Sequence, residues 1–188
     1  MKVQGHGQAK ILNSEEIAQL FRSFNCDRDR ALFAICFFTG CRINEGCTML
    51  TGGVFDAIGV RGKITIRKGN TKGEQSTRQI STHPQLRGYL EQHRDQAGKL
   101  YLFPGRHGRG HLNPRSTDAI LREAFARIGV EGASTHSFRR TALTQMAAAG
   151  VPLRVIQEIS GHRSLQALQR YLEVSEQQVE QAISVLKF

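Results

Sequence analysis

Helix-capping signals recur along the chain, and a glycine-punctuated stretch interrupts them. Asn13, followed three residues later by a glutamate, forms a capping-box pattern ahead of an amphipathic segment. Gly40 ends a second segment that is apolar on most sides, which indicates a buried helix. Asn113 and Pro114 supply an N-cap residue and a proline at the first helical position. The chain is therefore predicted to form capped helices on both sides of residues 52–81.

The glycine-punctuated stretch itself has the alternating and β-branched composition of short strands. We predict three antiparallel strands there, at Val54 to Val60, Lys63 to Arg67 and Thr77 to Ser81. The predicted fold class is α+β: a mostly α-helical single domain with a small three-stranded antiparallel sheet. Apolar residues of the later helices are expected in the core, namely Leu143, Met146, Val155, Ile156 and Ile159.

The charge balance points to a polyanionic partner. There are 26 lysines and arginines against 16 acidic residues, a formal charge of +10. Nucleic acid is the first candidate partner for such a chain, although a basic surface can also simply aid solubility. The four cysteines form no C-x-x-C pair, and no apolar leader or membrane-length stretch is present. We expect a cytoplasmic protein with reduced thiols, no metal and no cofactor.

An ordered set of polar residues carries the functional signal. Arg42 directly follows the glycine-terminated buried helix, and His136 and Arg139 lie three apart, on one face of a predicted helix. His162 follows 23 residues after Arg139, and Tyr171 follows nine residues after His162. Each residue alone has an ordinary structural explanation, such as a helix cap or a half-buried aromatic. Their order and spacing together favour a functional role.

The segments around these residues resemble the catalytic domain of the tyrosine recombinases, also called the phage integrase family. The matching segments are TGCRINE, THSFRRTALTQMAAAGV and IQEISGHRSLQALQRYLEV, and the resemblance extends from about Lys10 onward. It implies the integrase catalytic-core fold and double-stranded DNA as the partner. It also implies that strands are cut and rejoined through a 3′-phosphotyrosine link, without metal or ATP. The bound protein would be nucleoid-associated.

The resemblance gives each residue a role that its chemistry suits. Arg42 and Arg139 would clamp the non-bridging oxygens of the scissile phosphate with bidentate, charge-assisted bonds. His162 would add a hydrogen bond to the phosphate. His136 would act as a general base or an orienting group near the phenol. Tyr171 would attack the phosphorus.

The family also uses a lysine on a β-hairpin to protonate the leaving 5′ hydroxyl. Lys72 is the preferred candidate here, in Thr-Lys-Gly, and Lys68, in Lys-Gly-Asn, is the alternative. Glu45 lies three residues after Arg42 on the same helical face, so it is expected to buttress that arginine.

Domain boundaries and assembly follow from the same resemblance. We expect an N-terminal extension at 1–12, the catalytic domain at 13–174, and a C-terminal helix or tail at 175–188. In relatives such a tail docks on a neighbouring subunit, so self-association on DNA is expected, as a dimer or a tetrameric synapse. The tail could instead fold back on its own core. Typical members carry an N-terminal helical domain, so the chain is either a fragment or a minimal recombinase.

Two other functions are compatible with parts of the sequence. Residues 147–172 have the helix, glycine turn and helix of a DNA-binding regulator without catalysis. That reading leaves Arg42 and the spacing from His162 to Tyr171 unexplained. An isolated catalytic domain could also act as a topoisomerase-like nicking and closing enzyme. The target sequence, and the choice among integration, excision, resolution and inversion, are not readable from these residues.

Overall fold

A computed structural model describes residues 8–67, 77–174 and 176–186, which form mainly helices with one antiparallel pair of strands. The helices are α1 (Ser14–Ser23), α2 (Asp27–Thr39), α3 (Ile43–Cys47), α4 (Pro84–His93), α5 (Pro114–Arg127), α6 (Thr135–Ala148), α7 (Leu153–Ser160), α8 (Leu165–Gln169) and α9 (Glu176–Ser184). The strands are β1 (Lys63–Ile66) and β2 (Arg78–Ser81). Single 3₁₀ turns occur at Thr51–Gly53, Arg94–Gln96 and Arg106–Gly108. The predicted mostly helical α+β class is confirmed.

The capping signals lie where the sequence predicts them. The side chain of Asn13 accepts the backbone N–H of Glu16 at 2.8 Å, and the Glu16 carboxylate accepts the N–H of Asn13 at 3.0 Å. Each bond satisfies a donor that the first turn of a helix leaves unpaired. At the start of α5, Asn113 accepts the N–H of Arg115. These local hydrogen bonds fix where α1 and α5 begin, independently of tertiary contacts.

The sheet differs from the prediction of three strands. Lys63–Ile66 pairs with Arg78–Ser81, but Val54 to Val60 is not a strand: it forms one isolated bridge, between Phe55 and Val60. The reason is Asp56, whose carboxylate accepts the N–H groups of the second and third residues after it, at 3.0 and 3.1 Å. This local bonding folds the segment into a tight turn, because an aspartate side chain competes with the ladder for backbone donors.

Helix α2 forms the centre of the main core. The residues from Ala31 to Ile35 are fully buried, and the helix packs against α3, α4 and α6. The Phe33 ring stacks between those of Phe24 and Phe138, with centroid distances of 4.8 and 5.3 Å. Burial of each such ring contributes about 1.5–3 kcal/mol. This packing fixes the position of the carboxyl end of α2, which lies next to Arg42.

A second, smaller core joins the last part of the domain to α6. It contains Leu143 from α6, Ile156 from α7 and Leu168 from α8, and Tyr171 packs at its edge. Met146 and Ile159 are partly buried. The expectation that Val155 is a core residue is wrong, because its side chain lies on the outer face of α7 and is 46% exposed. The small core sets the position of Tyr171 relative to α6.

Candidate active site

Arg42 is positioned by a left-handed glycine. Gly40 ends α2 at φ +59°, a conformation that costs other residues free energy. The turn lets the chain start α3 three residues later, at Ile43, with Arg42 at its N-cap position. The Arg42 side chain is about one quarter exposed. Its guanidinium is therefore accessible from solvent at the rim of a buried polar cluster.

Glu45 is the acidic member of that cluster, and it is almost fully buried. Its carboxylate accepts the backbone N–H of Arg42 at 2.7 Å and lies 3.6 Å from the Arg42 guanidinium. It also accepts two hydrogen bonds from Arg78, at 3.0 and 3.3 Å. One carboxylate thus lies between two guanidiniums, as a buried charge requires if its desolvation is to be offset.

Arg139 joins the two halves of the fold. Helix α6 begins at a Ser134 cap and carries His136 and Arg139 on one face, and the Arg139 side chain is 1% exposed. Its guanidinium donates to the carbonyl of Gly40 and, at 2.8 Å, to the carbonyl of Ser160. These carbonyls end α2 and α7, so the arginine holds together the two helix ends that precede Arg42 and His162.

His162 is held as a buried ring on a left-handed turn. Gly161 ends α7 at φ +65°, and the next backbone carbonyl, that of His162, accepts the side-chain amide of Gln157 at 2.9 Å. Nε2 of the ring lies 3.1 Å from Arg139, and Nδ1 lies 2.8 Å from the hydroxyl of Ser160. The same arginine nitrogen lies 3.3 Å from Nδ1, and the Ser160 hydroxyl can donate or accept, so these contacts are compatible with the ring proton on either nitrogen.

Burial and nearby cations keep both histidines neutral. Burial, followed by the charges of Arg139 and Arg42, lowers the pKa of His162 to about 3. The His136 residue is exposed overall, but loss of solvent around its ring, followed by the same two cations, lowers its pKa. Burial, then the charge of Arg42, lowers the pKa of Arg139 to about 10, so this arginine stays charged at neutral pH.

Tyr171 lies against this cationic cluster. Its ring centroid is 4.8 Å from that of His162 and 5.6 Å from the guanidinium carbon of Arg139. The residue is half-buried, and its backbone carbonyl accepts the hydroxyl of Thr144 on α6 at 3.1 Å. Two residues later, Glu173 accepts a hydrogen bond from Arg140, also on α6. These two bonds tie the tyrosine segment to the helix that carries Arg139.

The structure thus brings together six of the residues singled out in the sequence, namely Arg42, Glu45, His136, Arg139, His162 and Tyr171. Lys68 and Lys72 lie outside the described residues. Arg78 and Ser160 belong to the cluster but were not predicted. Strand alternation carries a signal for Arg78, since it shares a face with Ile80, and a cation at an inward position indicates a buried partner.

The cluster can hold a phosphate but shows no set of metal ligands. In the described part of the chain, no group of three or more histidine, cysteine or acidic side chains could bind a metal ion. None of the helices described is long and apolar enough to cross a bilayer. The cluster contains a phenol, two neutral imidazoles and guanidiniums, which suit an anionic substrate that gains charge in its transition state.

The fold and the comparison with known families together define the class of this protein. The chain belongs to the phage integrase family, whose model matches residues 10–178. The resemblance predicted from the sequence is confirmed. These findings do not favour a regulator without catalysis or a topoisomerase-like enzyme.

Two curated relatives give the scale of the similarity. The tyrosine recombinase XerA of Pyrococcus furiosus is 28% identical over 178 residues, which are 93% of this chain and 60% of that protein. The tyrosine recombinase XerC of Corynebacterium glutamicum is 33% identical over 165 residues, which are 84% of this chain and 50% of that protein. The chain therefore spans between half and three fifths of the length of these relatives.

Solved structures share the fold over almost the whole chain. A crystal structure of XerA recombinase matches with a TM-score of 0.81 at 19% identity, and covers 98% of this chain and 68% of that one. XerH recombinase, bound to a palindromic difH substrate in a post-cleavage complex, matches with a TM-score of 0.77 at 22% identity. That match covers 97% of this chain and 54% of that one. The predicted integrase catalytic-core fold is confirmed.

Proposed function

We propose that this chain is a site-specific recombinase that cleaves and rejoins double-stranded DNA through a covalent link at Tyr171. The observation that carries the proposal is the contact of the Tyr171 ring with both His162 and Arg139. The Arg139 guanidinium stays charged at neutral pH, so it can attract an anionic phosphate to the side of this ring. A regulator that only binds DNA has no need of this arrangement.

The proposed reaction exchanges one phosphodiester for another. The Tyr171 oxygen forms a bond to phosphorus while the bond from phosphorus to the 5′ oxygen breaks, and the phenol proton passes to His136. Arg42 and Arg139 stabilise the charge that develops on the non-bridging oxygens. Removal of one such preorganised donor typically lowers the rate about 10²–10³-fold.

The remaining groups complete the proton balance. The departing 5′ hydroxyl takes a proton from Lys72, or from Lys68. His162 donates to the phosphate from Nε2, in the tautomer that carries the ring proton on that nitrogen, while Nδ1 accepts from the hydroxyl of Ser160. Rejoining runs the same steps in reverse, so neither ATP nor a metal ion is required. Loss of cleavage in EDTA would contradict this part of the proposal.

Covalent capture tests the function directly. The probe is a pool of nicked duplexes with randomised sequence around the nick, from which the short cleaved strand diffuses away and prevents rejoining. We expect an adduct that survives SDS with the wild type and none with Tyr171→Phe, at equal DNA binding. Tyr89→Phe is a matched control on α4, and it should leave the adduct yield unchanged. An adduct formed by Tyr171→Phe would refute the assignment of Tyr171 as the nucleophile.

A sulfur substitution separates the two lysines. A substrate with a 5′-phosphorothiolate has a leaving group that needs no proton. It should restore cleavage to Lys72→Ala and not to Arg42→Ala, whose defect lies in the phosphate clamp. Restoration of Lys68→Ala, with Lys72→Ala fully active on ordinary DNA, would transfer the role to Lys68.

We further propose that residues 13–174 form the catalytic unit and that the tail docks on a neighbouring copy on DNA. Val179 and Ile183 on α9, and Leu186 just beyond it, are more than half exposed. Such an apolar stripe favours association. Ile183→Asp should abolish DNA-dependent dimers and tetramers in sedimentation velocity, and Glu180→Asp should not. Retention of these assemblies by Ile183→Asp would contradict docking through this stripe.

We also propose that the protein acts in the cytoplasm, associated with the nucleoid. All four cysteines are free, and two of them, Cys36 and Cys41, are buried close together. Thiols persist in reducing compartments. A fluorescent fusion that fails to overlap with stained DNA in living cells would contradict this location.

A further inference from the structure

Arg78 occupies an unusual place for a cation. It lies on β2 in register with Ile66, and shares the inward face of the sheet with Ile64 and Ile80, both buried. Its side chain is 8% exposed. Placing a charge there costs several kcal/mol unless it is paired and hydrogen-bonded. The hydrogen-bond partners of the guanidinium therefore indicate its role.

Every hydrogen bond described for this guanidinium leads to the candidate active site. Two nitrogens bind the two oxygens of Glu45 in a bidentate pair, at 3.0 and 3.3 Å. The third, Nε, donates to the carbonyl of Ile159 at 3.0 Å. Glu45 is the carboxylate that accepts the N–H of Arg42, and Ile159 is three residues before His162. Arg78 thus connects the start of α3 to the end of α7.

We propose that Arg78 is a positioning residue that fixes Arg42 and His162 relative to each other; this rests on the proposed function. Its nitrogens are used and its side chain is buried, so it is not placed to bind phosphate itself. It acts through Glu45, by sharing the charge of that carboxylate. Without Arg78, the carboxylate would attract the Arg42 guanidinium, now 3.6 Å away, and draw it from the phosphate.

Replacement of Arg78 would also remove its hydrogen bond to the end of α7. Loss of Arg78 leaves the carbonyl of Ile159 without its charged donor in a buried place. The turn at Gly161 that carries His162 then loses one of its attachments to the sheet. Both phosphate-binding groups would be displaced, and a misplacement of about 1 Å can lower a rate about 10²-fold.

A single-turnover assay at saturating DNA separates positioning from folding. We expect Arg78→Met to lower the rate constant of adduct formation by about 10–100-fold, with the affinity for DNA and the final adduct yield unchanged. Arg78→Lys should restore part of the rate, because an ammonium keeps the charge but not the two-pronged geometry. If Arg78 only stabilises the fold, the yield and melting temperature fall while the rate constant stays, which would overturn the proposal.

Arg30 offers a matched control. It also donates to a carboxylate, that of Asp27 at 2.7 Å, and to a backbone carbonyl, that of Phe24 at 2.8 Å. Its partners lie away from the cluster. Arg30→Met removes the same charge and the same kinds of bonds, and its rate constant should equal that of the wild type. An equal loss of rate in both variants would assign the effect to charge alone and reject positioning.

A double variant tests whether Arg78 acts through Glu45. Arg78→Met combined with Glu45→Gln should be no slower than the slower single variant, whereas multiplied losses would show independent roles. Crystal structures of Arg78→Met and the wild type supply a readout without activity. If the wild type forms no adduct, the proposed function fails, and an Arg42 guanidinium displaced from Arg139 in the variant still supports positioning. An unmoved Arg42 rejects it in either case.

Discussion

Acidification should destabilise this chain through His162, and the size of the effect follows from its burial. The residue is 7% exposed, and its burial, followed by the charge of the neighbouring Arg139, lowers its pKa from the ordinary value of 6.5 to about 3. In the unfolded chain the same ring titrates near 6.5. Between pH 6.5 and 3 the unfolded state therefore binds a proton that the folded state does not. The stability is fully present above pH 6.5 and is lost as the pH falls.

The magnitude at pH 5 can be worked out from these values. That pH lies about 1.5 below the ordinary pKa, and each pH unit corresponds to about 1.4 kcal/mol. His162 alone should thus lower the free energy of unfolding by about 2 kcal/mol between pH 8 and pH 5. Against a typical total of about 5–15 kcal/mol, this loss is large enough to measure with confidence.

Urea denaturation at the two pH values, without DNA, is the assay. His162→Gln removes the titrating group, and other histidines with lowered pKa, such as His93 and His136, contribute equally to both proteins. The wild type should lose about 2 kcal/mol more than His162→Gln between pH 8 and pH 5. Equal losses in the two proteins would refute the description of His162 as a buried neutral ring.

Four further substitutions have expected outcomes. Gly40→Ala should lower the free energy of unfolding by about 1–2 kcal/mol in urea, because φ at this position is +59°. It should also slow adduct formation, because the Gly40 carbonyl accepts a hydrogen bond from Arg139. Gly129→Ala, at φ +68° with open space around it, should cost as much stability without slowing the reaction. Phe138→Ala should cost about 3–5 kcal/mol in urea, by emptying part of the aromatic stack. Arg140→Met should slow adduct formation without changing affinity for DNA, because the tyrosine segment loses its bond at Glu173.

Each of these expectations has a contradicting result. If Gly40→Ala and Gly129→Ala slow adduct formation equally, the position of the Gly40 carbonyl does not determine the rate. A loss below about 1 kcal/mol for Phe138→Ala would mean that the core collapses around the gap. An unchanged rate for Arg140→Met would show that the Thr144 bond alone holds the tyrosine segment.

The sequence predicted the features that depend on neighbours along the chain. The capping box at Asn13 and the left-handed end of α2 at Gly40 follow from residues within one helical turn. Long-range partners were harder to predict. Arg78 pairs with Glu45, which lies 33 positions earlier in the sequence, and no local sequence pattern predicts that pairing. The predicted strand at 54–60 failed because one aspartate side chain took the donors that a ladder needs.

Arg139 contributes both to the fold and to the proposed chemistry. Its guanidinium bonds the ends of two helices from a position that is 1% exposed, so the folded chain needs it whether or not DNA is cut. A descendant that had lost its chemistry would be under pressure to keep this arginine, while Tyr171 at the edge of the small core could change at little cost. Among diverged copies, an intact tyrosine is therefore better evidence of activity than an intact arginine.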